Sequence, residues 1–214
     1  MAKVTKWSNV AVAMQSALAA AKTITGIAKG TTATVSATAH GLANGDYVAL
    51  TVNGMWQVNN RVFRVASAAT DNFVLEGEDT TAFDTFTDGT LQKVTFGTSI
   101  TTATTVSASG GNFGFIDTTT IHGNQKTQVP GLPDAATYNM DHLWDVTDAG
   151  LKAMKVASDS QAMRAFKFAF GTGGQIMVFL GYVGANLLPG GQAQDKVTTP
   201  SAITMFGSPT YYAS

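Results

Sequence analysis

The sequence predicts a mainly β protein, a β-sandwich or barrel with one short packed helix and a small inserted β module. Three observations predict it. Short alternating segments are broken by turn residues about every ten positions. One stretch carries convincing helical spacing, and charge is sparse. Only 13% of the 214 residues are charged, against roughly 25% in ordinary soluble domains, while 44% are hydrophobic. That apolar content excludes a disordered chain. Abundant Thr, Val and Phe, with 22 glycines and 5 prolines, suit strands joined by tight turns. So little charge leaves much of the surface uncharged, which predicts burial in an assembly.

In chain order, Val10, Val12 and Met14 alternate as in a strand, although alanine-rich Val10–Lys22 also suits a helix. Strands are expected at Thr31–Thr38, Tyr47–Val52, Arg61–Val65 and Asn72–Glu76. Asn44-Gly45-Asp46, Asn53-Gly54 and Asp88-Gly89 mark turns, Asn53-Gly54 being a strong hairpin signal. These strands form the module, taken as residues 26–93 and inserted between 1–25 and 94–214. The module is expected to project outward on a core of Trp56, Val62, Phe63 and Phe73, and to be replaceable by a short Gly/Ser linker without loss of assembly. The Thr/Ser-rich stretch Phe96–Asn112 fits either a linker or a strand. Residues 117–135, with Gly123, Asn124, Pro130, Gly131 and Pro133, read as a long loop. Tyr138–Trp144 reads as a strand. A helix is expected over Thr147–Ala157, capped by Thr147, with Leu151 and Met154 on its buried face. Phe166, Phe168 and Phe170 alternate in a strand, and Gly171-Thr172-Gly173-Gly174 turns it into Gln175–Val183. Both faces of that last segment are apolar, Ile176, Val178 and Leu180 against Met177, Phe179 and Val183, so it is expected to be covered on both sides. A final strand runs over roughly Lys196–Phe206.

Function classes fall away in turn. The 13 basic residues are scattered and the net charge is −1, so no stripe exists to grip phosphates. Cysteine is absent, which removes disulfides and thiolate sites. Lys3 and Lys6 before the run Val10–Ala21 imitate a leader, but Trp7, Asn9, Gln15 and Ser16 interrupt it. The longest apolar stretch, Ile176–Leu188, is too short for a spanning helix, so no membrane partner is expected. His142 and Asp145, with Asp141 adjoining, suggest a metal pair, but strand alternation sends Asp141 and His142 to opposite faces. His40 and His122 beside glycines read as loop hydrogen-bonders. The acids Glu76, Glu78, Asp79, Asp84 and Asp88 lack the spacing of a calcium loop. The glycine run at 171–174 leads into a strand, so no helix terminus receives an anion. No serine has an evident base, and neither an enzyme nor a cofactor is expected.

Phe115-Ile116-Asp117-Thr118-Thr119 and Lys126-Thr127-Gln128-Val129-Pro130-Gly131-Leu132-Pro133-Asp134, followed by a helix at Asp148–Ser158 and a hairpin at Ala165–Tyr182, resemble the major tail tube proteins of long-tailed, non-contractile (siphovirus-type) bacteriophages. The resemblance spans about residues 97–210 plus the N-terminal strand. Ala39-His40-Gly41-Leu42, Asn44-Gly45-Asp46-Tyr47-Val48 and Asn72-Phe73-Val74-Leu75 resemble a small β module of phage virion proteins. The resemblance implies a tail-tube fold, hexameric rings stacked into a hollow tail, a shared inner barrel, and a lumen through which DNA passes without specific binding. It implies as partners other copies of the chain, the tape-measure protein, and the tail tip and terminator proteins. It also implies assembly in the host bacterial cytoplasm and a place in the virion. On that reading the loop 117–135 connects rings, with Ile121, Val129 and Leu132 as apolar anchors and Lys126 and Gln128 as polar contacts. Phe166, Phe168, Phe170, Ile176, Val178 and Leu180 then belong to the shared-barrel strands. Another virion protein, such as a decoration or distal-tail subunit, and a carbohydrate-binding β-sandwich module stand as alternatives.

Overall fold

The computed structural model describes residues 6–213 apart from Thr172; Lys3 of the leader-like segment and Thr172 of the glycine turn lie outside the described residues. Strand β1 (Val10–Met14) begins a first sheet. A second sheet comes next, built from β2 (Ala17–Leu18), β3 (Lys22–Ile24), β4 (Gly26–Ile27), β5 (Ala33–Ser36), β6 (Tyr47–Asn53), β7 (Arg61–Ala66), β8 (Asn72–Leu75) and β9 (Asp88–Thr95). The chain returns to the first sheet as β10 (Thr98–Ile100) and β11 (Ala103–Ser109). It leaves again for a separate two-stranded ribbon, β12 (Phe113–Asp117) and β13 (Gln128–Pro133), and comes back as β14 (Thr137–Leu143). Helix α1 (Ala149–Asp159) precedes β15 (Arg164–Phe170), β16 (Ile176–Ala185) and β17 (Thr198–Tyr212). The first sheet has seven strands in the order β10-β1-β15-β16-β17-β14-β11 and curls into a half-barrel. The second has eight, β2-β9-β6-β7-β8-β5-β4 with β3 also beside β9.

Alternation explains the first sheet. Val12 and Met14 pair in register with Phe168 and Phe166, so β1 adopts the strand reading and its apolar row joins theirs. On this side Phe166, Phe168, Met177 and Phe179 pack with Met140, Ile203 and the helix residues Met154 and Ala157. The Phe179 ring stacks on Phe166 and Tyr138, each with centroids 5.6 Å apart. The helix starts two residues later than expected. Asp148, not Thr147, is its cap, with Oδ1 accepting the Leu151 N–H at 2.8 Å, while the Thr147 N–H and hydroxyl both donate to Asp145. A carboxylate in extended backbone does what a threonine already engaged in the preceding turn cannot.

The opposite face of β15 and β16 is covered by the second sheet. Ala165, Val178, Leu180 and Tyr212 meet Val62 and Val94 in one apolar layer. Both faces of β16 are thus covered as far as Gly181, both covers coming from the same chain, while Tyr182 beyond it stands exposed. The inserted sheet's own core holds Phe63 and Phe73 together with Leu50, Leu75 and Leu91. Val62 instead faces the first sheet, because β7 alternates between two buried sides, and Trp56 stands exposed on a 3-10 turn. Polar contacts fasten the junction. The Arg64 backbone N–H donates to the Tyr212 hydroxyl at 2.6 Å, its guanidinium lies over the Tyr212 ring, and it pairs with Glu76. Arg61 pairs with Glu78 at 2.7 Å and reaches Thr210 Oγ1 at 3.3 Å. Burial pushes the Tyr212 hydroxyl's pKa well up. The acidic run therefore serves ion pairs and turns. Asp84 accepts from Gln57, and Asp88 accepts from Asn53.

Two turn readings change. Asn53-Gly54 does not close a two-residue hairpin: Asn53 ends β6 opposite Asp88, and a 3-10 turn at Trp56–Val58 intervenes before β7. Gly54 has φ +85, and a Cβ there would strike the backbone and side chain around Thr85 and Thr87. The last strand continues to Tyr212, past Gly207 and Pro209, which break an alternating pattern locally. Between Val178↔Thr210 and Leu180↔Phe206 the strand bulges, and Gly207 at φ +76 lies where a Cβ would come within 2.5 Å of the Asn60 carbonyl.

His142 is fully buried on β14, its Nε2 2.8 Å from Ser201 Oγ and its Nδ1 3.1 Å from Thr102 Oγ1, while Asp141 faces outward to Thr105. Burial holds its pKa below the ordinary 6.5, partly opposed by Asp141 and Asp148. Below that ordinary value the unfolded chain binds the proton more readily, so stability falls as pH drops from 6.5 through the lower folded value. The thermal midpoint is expected to decline between pH 7 and 5, and His142→Gln to flatten that slope. A slope unchanged by the substitution would assign the effect elsewhere.

Candidate functional site

Gly110 and Gly111, at φ +80 and +77, turn the chain out of the sheet where Ser109 pairs with Thr137. Beyond them the chain forms a β-hairpin arm rather than the irregular loop expected for 117–135. Phe115 pairs with Pro130, Ile116 with Val129 and Asp117 with Gln128, with a bulge at Gly131-Leu132. Proline suits this ribbon because both of its strands are edges, where a missing N–H interrupts no neighbouring ladder. Reciprocal bonds between Gly111 N–H and Asp134 C=O (3.1 Å) and Asp134 N–H and Asn112 C=O (3.0 Å) pin the root. Toward the tip, Thr118 N–H donates to Thr127 C=O, and Thr127 N–H to Thr119 Oγ1. Thr119 donates to the Asp117 carboxylate, its hydroxyl first and its backbone N–H second, holding that carboxyl below the usual carboxylate range.

Every residue from Ser107 to Pro130 is exposed. Ile121 is 96% and Leu132 90% exposed, and Val129 stands on the ribbon across from Ile116. Lys126 lies at the exposed tip, and Gln128 opens β13. Phe113, Phe115 and Ile116 are also exposed and extend the apolar surface to the root. Their signal was present in the sequence: three large apolar residues beside a glycine, on a strand with no core to meet. A two-stranded ribbon cannot bury them by itself, so the arm presents apolar surface that its own subunit leaves uncovered.

The six barrel-strand residues are placed differently. Phe166, Phe168, Val178 and Leu180 are buried in the subunit's own layers, Phe170 rests edge-on against Trp7, and Ile176 is half-buried beside the second sheet. The face left open belongs to β11, β14 and β17, where Thr105, Ser107, Asn139, Asp141 and Thr204 stand exposed. No lysine or arginine occurs in β11, β14, β16 or β17.

Among the described residues no group of three or more His, Asp or Glu side chains is placed to hold a metal, and no helix is long and apolar enough to cross a membrane. Comparison with curated proteins finds no match. Residues 53–214, spanning β7 to β9 of the second sheet, the arm and the whole C-terminal half, match the profile of the family described as phage tail tube protein, TTP. The match, the mainly β fold and the bare arm agree, and the chain belongs to the phage tail tube protein family, a family of structural proteins of the phage tail.

Proposed function

We propose that the subunits form hexameric rings that stack into the hollow tube of a long, non-contractile tail, assembled in the host cytoplasm around the tape-measure protein. Tip and terminator proteins close the two ends, and DNA passes through the lumen at ejection. The observation that carries this reading is the arm, a hairpin of exposed apolar residues that its own subunit leaves uncovered. Ile121, Val129 and Leu132 anchor it to the adjoining ring, with Lys126 and Gln128 at the rim. The open face of β11, β14 and β17 lines the lumen. A surface of hydroxyls, amides, one carboxylate and the apolar Leu143 and Phe206, with no cation, offers a duplex nothing to release counterions against. Strands β15 and β16 remain in the barrel wall, their side chains spent on the subunit's cores. The division into a tube-forming part and an inserted module rests on the two separate cores. The pairing of β2 and β3 with β9 supports a first crossing near Ser16.

Negative-stain microscopy and sedimentation of purified protein test the reading. Rings or hollow tubes with six-fold averages are expected, with or without a nucleating tip complex. A monomer that persists at high concentration across salts and in the presence of that complex would overturn it.

A further inference from the structure

A protrusion at one end of a subunit that matches a pocket at the other end repeats without closing, and so builds a filament. The two longest strands of the first sheet carry such a couple. Ile176 pairs with Tyr212 where β16 begins and β17 ends, and Ala185 pairs with Ser201 at the other end of the same two strands. The ten residues of β16 hold these ends about 30 Å apart. Strands of a barrel wall tilt only about 35–45° from its axis, so the two ends face opposite rims. At the first end lies an open cleft of ≈ 470 Å³, lined by Tyr138, Phe170, Gln175, Ile176, Met177 and Tyr211, among others. Tyr211 is 68% exposed on its wall. At the second end the chain leaves β16 as the loop 186–197, whose apex is held in shape. Trp144 Nε1–H donates to the Leu187 carbonyl at 2.9 Å, and the Leu188 N–H donates to Asn186 Oδ1 at 3.1 Å. Gly190 and Thr198 exchange two backbone hydrogen bonds of 2.8 Å. Leu187 takes φ +56, and Leu188 and Pro189 are left exposed, Leu188 at 64%. Aromatic-lined clefts take proline-bearing apolar segments of this kind, and a loop already held in shape loses little freedom on docking. Neither surface would strand a charge in the contact. Among the described residues no charged side chain lines the cleft, and none occurs from Asn186 to Gln194.

We propose that the Leu188–Pro189 apex of one subunit inserts into this aromatic cleft on the copy stacked next to it, with Leu188 against Tyr138 and Tyr211. The assignment rests on the head-to-tail stacking of rings and adds a second junction between them, separate from the arm.

The chain has no cysteine, so an introduced pair reports alone. Leu188→Cys/Tyr211→Cys cannot close within one subunit, because its positions lie at opposite ends of β16 and β17. Tubes of this variant are expected to give, on mild oxidation, a ladder of covalent oligomers on denaturing gels, and either single variant none. As a second readout, Leu188→Ala and Tyr211→Ala are each expected to raise the concentration needed for tubes about tenfold. Both side chains are exposed, so the subunit's melting temperature stays the same. The double variant is expected to rise no further than about twentyfold, because the two groups share one contact. An increase of about a hundredfold, the product of independent effects, would overturn the proposal. So would tubes that give no ladder, or a ladder that appears with Leu188→Cys/Ile121→Cys instead, which would make the loop a seat for the arm and leave stacking intact. Wild-type protein that forms neither rings nor tubes would remove stacking itself, and this contact with it.

Discussion

Shortening the arm within residues 120–128 is expected to abolish tubes while leaving the subunit's melting temperature and circular dichroism unchanged. The reason is where the side chains are. All of these residues are exposed, and none belongs to any of the three apolar cores. Exposed changes away from caps and cores typically shift stability by under about 0.5 kcal/mol. In an assembled contact, by contrast, burying a side chain the size of Ile121 stabilises by about 1.5–3 kcal/mol, or tenfold and more in the concentration at which subunits associate. Ile121→Asp is expected to act in the same direction, with a rise of at least tenfold, since it removes the apolar contact and adds a desolvation cost. Sedimentation at a series of concentrations reads the effect. Polymerisation of the shortened chain at the wild-type concentration would show that the arm is an idle surface hairpin.

Excising the second sheet is expected to destroy the subunit, not merely to trim it. From the sequence alone the module looked replaceable by a short linker, and the geometry of the cut supports that much. Ser16 N–H donates to Thr95 C=O at 2.8 Å, so a few glycines join the two ends without strain. The face beneath is the difficulty. Removing the module bares Val178 and Leu180, now 0% and 5% exposed, together with Ala165 and Tyr212. Returning Val178 and Leu180 to water costs about 3–6 kcal/mol, a large part of the roughly 5–15 kcal/mol by which domains are stable. Tyr212 also loses its hydrogen bond from Arg64. The linker variant is therefore expected to precipitate or to lose its cooperative melt. Adding Val178→Thr and Leu180→Lys, which make that face polar, is expected to restore solubility. An unmodified linker variant that stays monodisperse and melts within a few degrees of wild type would show that the cover is dispensable.

Much of the architecture was legible because it is local. Period-two alternation in Phe166–Phe170, turn residues at Asn44-Gly45, and the spacing of Leu151 and Met154 each depend on neighbours a few positions away. So did the separation of Asp141 from His142, since adjacent strand residues point to opposite faces. The arm's apolar residues were legible as residue types, but its hairpin was not. Pairing Phe115 with Pro130 joins positions whose own composition, Pro-Gly-Leu-Pro, reads as a breaker. Gly207 and Pro209 concealed the end of β17 in the same way, because a bulge is a property of two strands together.

What the sequence determined by itself was which faces need a cover; what the tertiary structure decided was who supplies it. The two apolar rows of β16 are plain in Ile176–Val183, and they are equally consistent with a neighbouring subunit or with a distant segment of the same chain. The fold brings Val62 and Val94 onto one row and Met154 and Ala157 onto the other, so β16 is covered on both sides within the monomer as far as Gly181. Hydrophobic burial is non-directional and records only that water has been excluded, not which chain excluded it. Only after the cores are assigned does the arm stand out as apolar surface that the subunit leaves uncovered.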